Sequence, residues 1–247
     1  MPVRISLKGV PFEEYDAVDS IQSNFSTLES LARGFRETVD LYLFTNACSK
    51  KFQAEVDSYW HENSGWYQIA ARNGAISAYS FLRVLEAVNS APCPTVWSMI
   101  DTSSKKIATK IFASEFPKVS GTRQSTAHPG EFTKSKKERQ RHSLNNNGSE
   151  LYISGMMQTS DNGMIVSSTF EGKMVDYELS LRKADVLDAV IKHYESAFIP
   201  LEEESDVIFR AFSAERETQR LRDQRNRPPW WSGLLCTENG GNVDSEG

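Results

Sequence analysis

Residues 24–44, NFSTLESLARGFRETVDLYLF, decide the fold. Phe25, Leu28, Leu31, Phe35, Val39 and Tyr42 recur at spacings of three and four, with Leu43 beside them. At 3.6 residues per turn, that spacing aligns the apolar side chains along one side of an α-helix. Ser26 followed by Glu29 predicts a capping box at its start. Upstream, residues 1–24 carry no clear period and include Pro2, Gly9 and Pro11. They are expected to form an N-terminal arm with one short strand at VRISL. Downstream, a second helix is expected from about Ser49 to Trp60.

The strongest helical pattern follows at residues 65–92, GWYQIAARNGAISAYSFLRVLEAVNSAP. Trp66, Ile69, Ala70, Ile76, Tyr79, Leu82, Val84, Leu85 and Val88 make a wide apolar face, which predicts a central, buried helix. Pro92 and Pro94 end it, because proline lacks the amide hydrogen and restricts the residue before it. Gly74 in mid-helix costs about 1 kcal/mol relative to alanine, so its presence predicts close packing there. Residues 101–117, DTSSKKIATKIFASEFP, read as another helix with Ile107, Ile111, Phe112 and Phe116 inward and Pro117 as its stop.

After His128 the texture changes. TKSKKERQRHSLNNNGSE is basic, then asparagine-rich, and reads as a solvated loop or frayed helix. ELYISGMMQT, GMIVSSTFEG and KMVDYELS read as strands, with turns at Asp161-Asn162-Gly163 and Glu171-Gly172-Lys173. A three-stranded meander follows, and one of its faces needs a cover. The helix predicted through Leu181, Ala184, Leu187, Val190, Ile191 and Tyr194 can supply one. The expected fold is α+β, mainly α. A helical bundle over 25–142 shares its core with a small antiparallel β-meander and covering C-terminal helix over 149–200. Residues 201–247 are expected to be a helical extension and flexible tail. In that tail, Trp230 and Trp231 follow Pro228-Pro229. They either dock on the protein's own surface or anchor a protein partner.

Bulk composition excludes several function classes. With 39% hydrophobic and 25% charged residues in 247, the chain is long enough for a sizeable core. A net charge of −5 gives no global basic field, so any nucleic-acid binding is local. Cys48, Cys93 and Cys236 show no paired spacing, which excludes a disulfide framework or a cysteine zinc site. Free thiols point to a reducing cytosol. The N-terminus lacks the apolar run of a signal peptide, and no segment reaches the ~18–20 apolar residues of a membrane span. A cytoplasmic protein without a membrane partner is expected.

Motifs for phosphate loops, dinucleotide binding, HExxH, C-x-x-C and G-x-S-x-G are absent. His61, His128, His142 and His193 are scattered, so neither a metal site nor a cofactor is expected. YWHENSGWY gathers aromatic residues around His61; it either stacks bases or closes a helical hairpin. Arg72 and Arg83 lie on the most apolar helix, where a buried Arg72 needs a partner such as Glu37 or Asp40. Alternatively they line the groove of His128. The remaining candidate is GTRQSTAHPGEF at residues 121–132, where Arg123 and His128 are separated by four residues. The run after it carries Lys134, Lys136, Lys137, Arg139 and Arg141, a credible surface for backbone phosphates.

A helical bundle with an R-x4-H motif late in it resembles the HEPN superfamily, over roughly residues 25–142. The resemblance implies a metal-independent endoribonuclease of toxin–antitoxin or antiphage-defence type, with RNA as substrate. It also implies a homodimer, because the family's site forms where two motifs face each other. Arg123 would clamp phosphate and His128 would move protons. The chemistry suits those residue types: a histidine pKa of about 6.5 lies near working pH, and a guanidinium can hold two phosphate oxygens. Pro129 cuts two ways. It either begins a helix that presents His128 at its tip, or it breaks the chain into a polar turn. The alternative function is a non-catalytic helical module that works through protein contacts, with Arg123 and His128 bonded to a helix end.

Overall fold

The computed structural model describes residues 4–53, 59–127, 134–146, 149–153, 155–201 and 218. Backbone alone is described for 51–53, 59–64, 126–127, 146 and 149. The fold that follows is that of the compact unit Pro2–Glu202.

Helix α1 spans Tyr15–Gln53 and is 39 residues long. It starts earlier than the expected boundary at residue 25, so the last ten residues of the expected arm, 15–24, are helix. The reason is that the apolar spacing continues upstream: Val18, Ile21, Phe25 and Leu28 are all fully buried. Polar neighbours such as Asp19, Gln22 and Asn24 mask that continuity. Ser26 and Glu29 therefore lie within the helix and cap nothing. The chain enters α1 through a short 3-10 turn at Phe12–Glu14. No strand forms over the described residues of VRISL; there the Ser6 amide donates to the Leu201 carbonyl at 2.6 Å. The helix expected from Ser49 to Trp60 is not separate either. Its first residues end α1, its last begin α2, and those between lie outside the described residues.

Helix α2, Tyr59–Asn89, runs back along α1. Tyr42 meets Tyr67 with ring centroids 5.6 Å apart, and Gly34 lies level with Ser77. Its buried face consists of Tyr67, Ala70, Ala71, Gly74, Ala75, Ala78, Phe81, Leu85 and Val88. Small residues let α1 and the sheet come close, so the wetted edge falls on larger ones. Trp66, Ile69 and Ile76, expected inside, are exposed. Arg72 is exposed as well and needs no buried carboxylate.

Helices α3 (Pro94–Met99), α4 (Thr102–Glu115) and α5 (Val119–Ala127) follow. Asp101 caps α4 by accepting from the Ser103 amide at 2.9 Å. Phe112 and Phe116 pack inward as expected, whereas Ile107 is exposed. Helix α6, Lys136–His142, forms where a solvated loop or frayed helix was expected. Ser135 supplies its cap, accepting from the Glu138 amide at 3.1 Å. Strands β1 (Leu144–Asn146) and β2 (Ser149–Leu151) pair as a small antiparallel ribbon.

The second sheet is the expected meander, β3 (Met156–Thr159), β4 (Gly163–Phe170) and β5 (Lys173–Ser180), antiparallel in that order. Phe170 pairs with Lys173 across the two-residue turn Glu171-Gly172. Both turn residues have positive φ, +50° and +71°, as a type I′ hairpin turn requires. Met164, Val166, Val175, Tyr177 and Leu179 are buried on the sheet's inner face. Helices α1, α2 and α5 lie against the sheet. Helix α7, Leu181–Phe198, follows β5 without a loop, packs on the strands, and continues onto α1 and α4.

Bundle and sheet residues belong to one continuous hydrophobic core. In α7, Leu187, Val190, Ile191, Tyr194 and Phe198 are buried. Each such side chain contributes about 1.5–3 kcal/mol of transfer free energy. The expected α+β, mainly helical architecture is therefore the one observed. Among the described residues, no helix is long and apolar enough to cross a membrane.

Candidate functional site

The first half of the R-x4-H motif lies on α5. Pro117 ends the preceding helix, and Lys118 turns the chain with φ +60°. The short α5 is then wedged between α2 and the β4–β5 hairpin. One side presents Gly121, where an added Cβ would lie 2.9 Å from Cδ1 of Phe170. The missing side chain is what admits the Phe170 ring. Thr122 and Ser125 are buried and bond to backbone carbonyls of their own turn, the Ser125 hydroxyl donating to Thr122 at 3.1 Å.

Arg123 projects from the opposite side of α5. It is half-buried, and its guanidinium carbon lies 5.1 Å from the ring centroid of Tyr79 on α2. Among the described residues, no carboxylate pairs with it. The arginines Arg36, Arg83 and Arg182 behave differently. Arg36 reaches Asp185 and Asp188, each at 2.7 Å, Arg83 bonds Glu86, and Arg182 holds Glu115 at 2.9 Å. Gln124, next to Arg123, is exposed. His128 and Pro129, the second half of the motif, lie outside the described residues.

The chain is described again from Lys134 into α6. Lys134, Lys136, Lys137, Arg139 and Arg141 are all exposed, so the five cations present one short basic surface segment. Arg139 lies over Tyr152 at 5.8 Å, and Arg141 stands 3.8 Å from Glu171. The basic helix is fastened to the sheet by His142, which is 4% exposed. The Glu171 amide donates to its Nδ1 at 3.1 Å, and its ring stacks on Phe170 with centroids 5.1 Å apart. Burial pushes the His142 pKa below the ordinary histidine value; Arg141 adds to this, while Glu138 and Glu171 oppose it. Phe170 thus touches Gly121 of α5 on one side and His142 of α6 on the other. Helix α5, which carries Arg123, and the basic helix α6 share that aromatic support.

His128, with which Arg72 and Arg83 would line a groove, falls outside the described residues. Arg83 is exposed on α2 and paired with Glu86. Tyr59, Trp60 and His61 have no described side chains. Tyr67 of the same cluster is buried, donating to Ser49 at 3.2 Å, so it closes the α1–α2 hairpin. Trp230 and Trp231 lie outside the described residues. Lys192 and His193 are exposed on the polar side of α7. Among the described residues, no group of three or more histidine, cysteine, aspartate or glutamate side chains could hold a metal ion.

Three aromatic residues of the site escape the sequence reading. Tyr79 reads only as part of an apolar helical face, and Tyr152 and Phe170 only as parts of strands. An aromatic beneath an arginine leaves no spacing signature when the two are far apart in the chain. No protein-family model, curated protein or solved structure matches this chain.

Proposed function

We propose that the chain is a HEPN-like, metal-independent endoribonuclease that uses Arg123 and His128. The observation that carries this reading is the state of Arg123. It is half-buried, backed by the Tyr79 ring, and unpaired with any carboxylate among the described residues. A guanidinium held in this way keeps its N–H edges for an anion. Its placement ahead of His128 in sequence, with five exposed cations following, suits a phosphodiester substrate. In the reaction, His128 takes the proton of a ribose 2′-hydroxyl or gives one to the leaving 5′-oxygen. Arg123 stabilises the charge added to the phosphorus centre. A homodimer bringing two such motifs together belongs to the same proposal.

The test is RNA cleavage by purified protein in excess EDTA, comparing wild type with Arg123→Ala and His128→Ala. The reading expects chelator-resistant cleavage that leaves 2′,3′-cyclic phosphate ends and is lost in both variants. Cleavage unchanged by both substitutions sinks it.

A second reading, a non-catalytic protein-binding module, is favoured by Trp66, Ile69 and Ile76. Their spacing of three and seven puts them on one side of α2, and all three are exposed. Absence of cleavage on varied RNAs, with a partner captured through this strip, would favour that reading instead.

A further inference from the structure

We propose that Tyr79 is a positioning residue that holds the Arg123 guanidinium ready for an RNA phosphate, an inference that rests on the nuclease reading above. Three observations carry it. The guanidinium carbon of Arg123 sits 5.1 Å from the Tyr79 centroid, within cation–π range. Both side chains are half-buried, so the contact is partly shielded from water. And Arg123 meets a ring where Arg36 and Arg182 meet carboxylates.

The geometry of the two groups explains why this matters. A guanidinium stacks through its face and donates hydrogen bonds through its edge. Tyr79 therefore restrains the group through a ring contact, whereas a carboxylate would occupy the fork that a phosphate needs. An arginine side chain otherwise loses much rotamer freedom on binding, and prior restraint removes part of that cost. Tyr79 is itself fixed. It lies on α2 at the edge of the buried face, one turn after buried Ala75, and packs partly against the core. Its ring, not its hydroxyl, does the holding.

The experiment measures binding of a labelled single-stranded RNA oligonucleotide by fluorescence anisotropy, alongside thermal melting and the EDTA cleavage assay. The variants are Arg123→Ala, Tyr79→Phe, Tyr79→Leu and the double variant Tyr79→Leu/Arg123→Ala. The inference expects Arg123→Ala to weaken binding about tenfold, the scale of one charge-assisted contact. Tyr79→Leu should weaken it several-fold, Tyr79→Phe should preserve it, and the double variant should be no weaker than Arg123→Ala alone. An additive loss in the double variant overturns the inference, because Tyr79 would then act independently of Arg123. So does a lowered melting temperature in Tyr79→Leu with RNA binding unchanged, which makes the stack only a brace between α5 and α2. If binding follows the expected pattern but no RNA is cleaved, the catalytic half of the nuclease reading fails, while the RNA-binding half, on which Tyr79's role rests, stands. If wild type binds no RNA, both fall.

Discussion

The hydroxyl of Tyr177 on β5 lies directly against the backbone of Gly74 at the middle of α2. A Cβ built on Gly74 would stand 2.2 Å from that oxygen and 2.6 Å from Cδ1 of Leu179. Sheet and helix meet here at a distance only glycine permits. Gly74→Ala should therefore destabilise the protein by about 1–3 kcal/mol, the usual cost of overpacking, although alanine is the better helix former. Chemical denaturation checks it. Adding Tyr177→Phe should recover part of the loss, since one of the two clashing atoms is removed. An unchanged midpoint in Gly74→Ala would show that the sheet can retreat from the helix.

Tyr177 carries a second consequence. Among the described residues its buried hydroxyl has no hydrogen-bond partner, and burial holds its pKa well above the ordinary tyrosine value. A hydroxyl taken from water without a partner costs roughly 1–3 kcal/mol. Tyr177→Phe alone is therefore expected to leave stability unchanged or raise it. A clear fall in melting temperature would reveal a hydrogen bond the fold depends on.

The start of α7 is locked to the end of α4 by charge. The Lys183 ammonium is nearly buried, donates to the Glu115 carboxylate at 2.8 Å and to the Glu115 carbonyl, and lies 5.3 Å from the centroid of Phe116. Lys183, with Arg182, holds the Glu115 pKa below the ordinary carboxylate value. A depressed carboxylate pKa adds stability above its unfolded value, about 4.3, and that stability is lost as pH falls through the folded pKa. Lys183→Met should lower stability at neutral pH by about 1–2 kcal/mol, the scale of a charge-assisted hydrogen bond to a half-buried carboxylate that keeps Arg182 as a partner. It should also weaken the loss on acidification. Melting curves across the acid range test both points, and identical curves for the two proteins would mean the lock is idle.

His142 gives a separate pH window. Its folded pKa is lowered, so between that value and the unfolded value of about 6.5 the unfolded chain binds more protons. Stability from this group is complete above about 6.5 and is lost as pH falls from there through the folded pKa. Among the described residues, the charged and polar groups facing the ring include Glu138, Arg141 and both the carboxylate and the amide of Glu171. His142→Gln keeps an acceptor for that amide but does not titrate. Its melting temperature should therefore change less than that of wild type as pH drops through this window. Equal slopes would show that His142 keeps its place when protonated.

How much of this was legible in the sequence depends on what each signal measures. The α1 stripe from Phe25 to Tyr42 was legible because every member is large, apolar and regularly spaced. The Glu171-Gly172 turn was legible because a two-residue hairpin demands positive φ, which glycine at the second position favours. The close approach at Gly74 was legible because glycine in mid-helix needs a reason. The buried face of α2 was not. Alanine and glycine line it, so reading by size put Trp66, Ile69 and Ile76 inside when packing distance excluded them. At the site, Arg123 and the basic run were visible as residue types. Their supports were not, because the Tyr79 and Phe170 contacts join positions distant in the chain, and no local spacing encodes them.

Helix α6 offers a direct test of the basic surface. Lys136 and Lys137 are exposed and make no ion pair among the described residues, so reversing them should leave the fold intact. If they contact RNA phosphates, Lys136→Glu/Lys137→Glu should weaken binding of a single-stranded oligonucleotide. Each neutralised phosphate contributes about 0.7 to the slope of log affinity against log salt for a single strand, so losing two contacts should flatten the slope by about 1.4. The salt dependence is the discriminating quantity. A variant that binds more weakly with an unchanged slope has lost something other than phosphate contacts. A variant with the same affinity and slope as wild type places the RNA path away from α6, leaving Arg123 without the basic neighbour on which the proposed substrate class relies. The melting temperature of the variant, expected to match wild type, separates these outcomes from a folding defect.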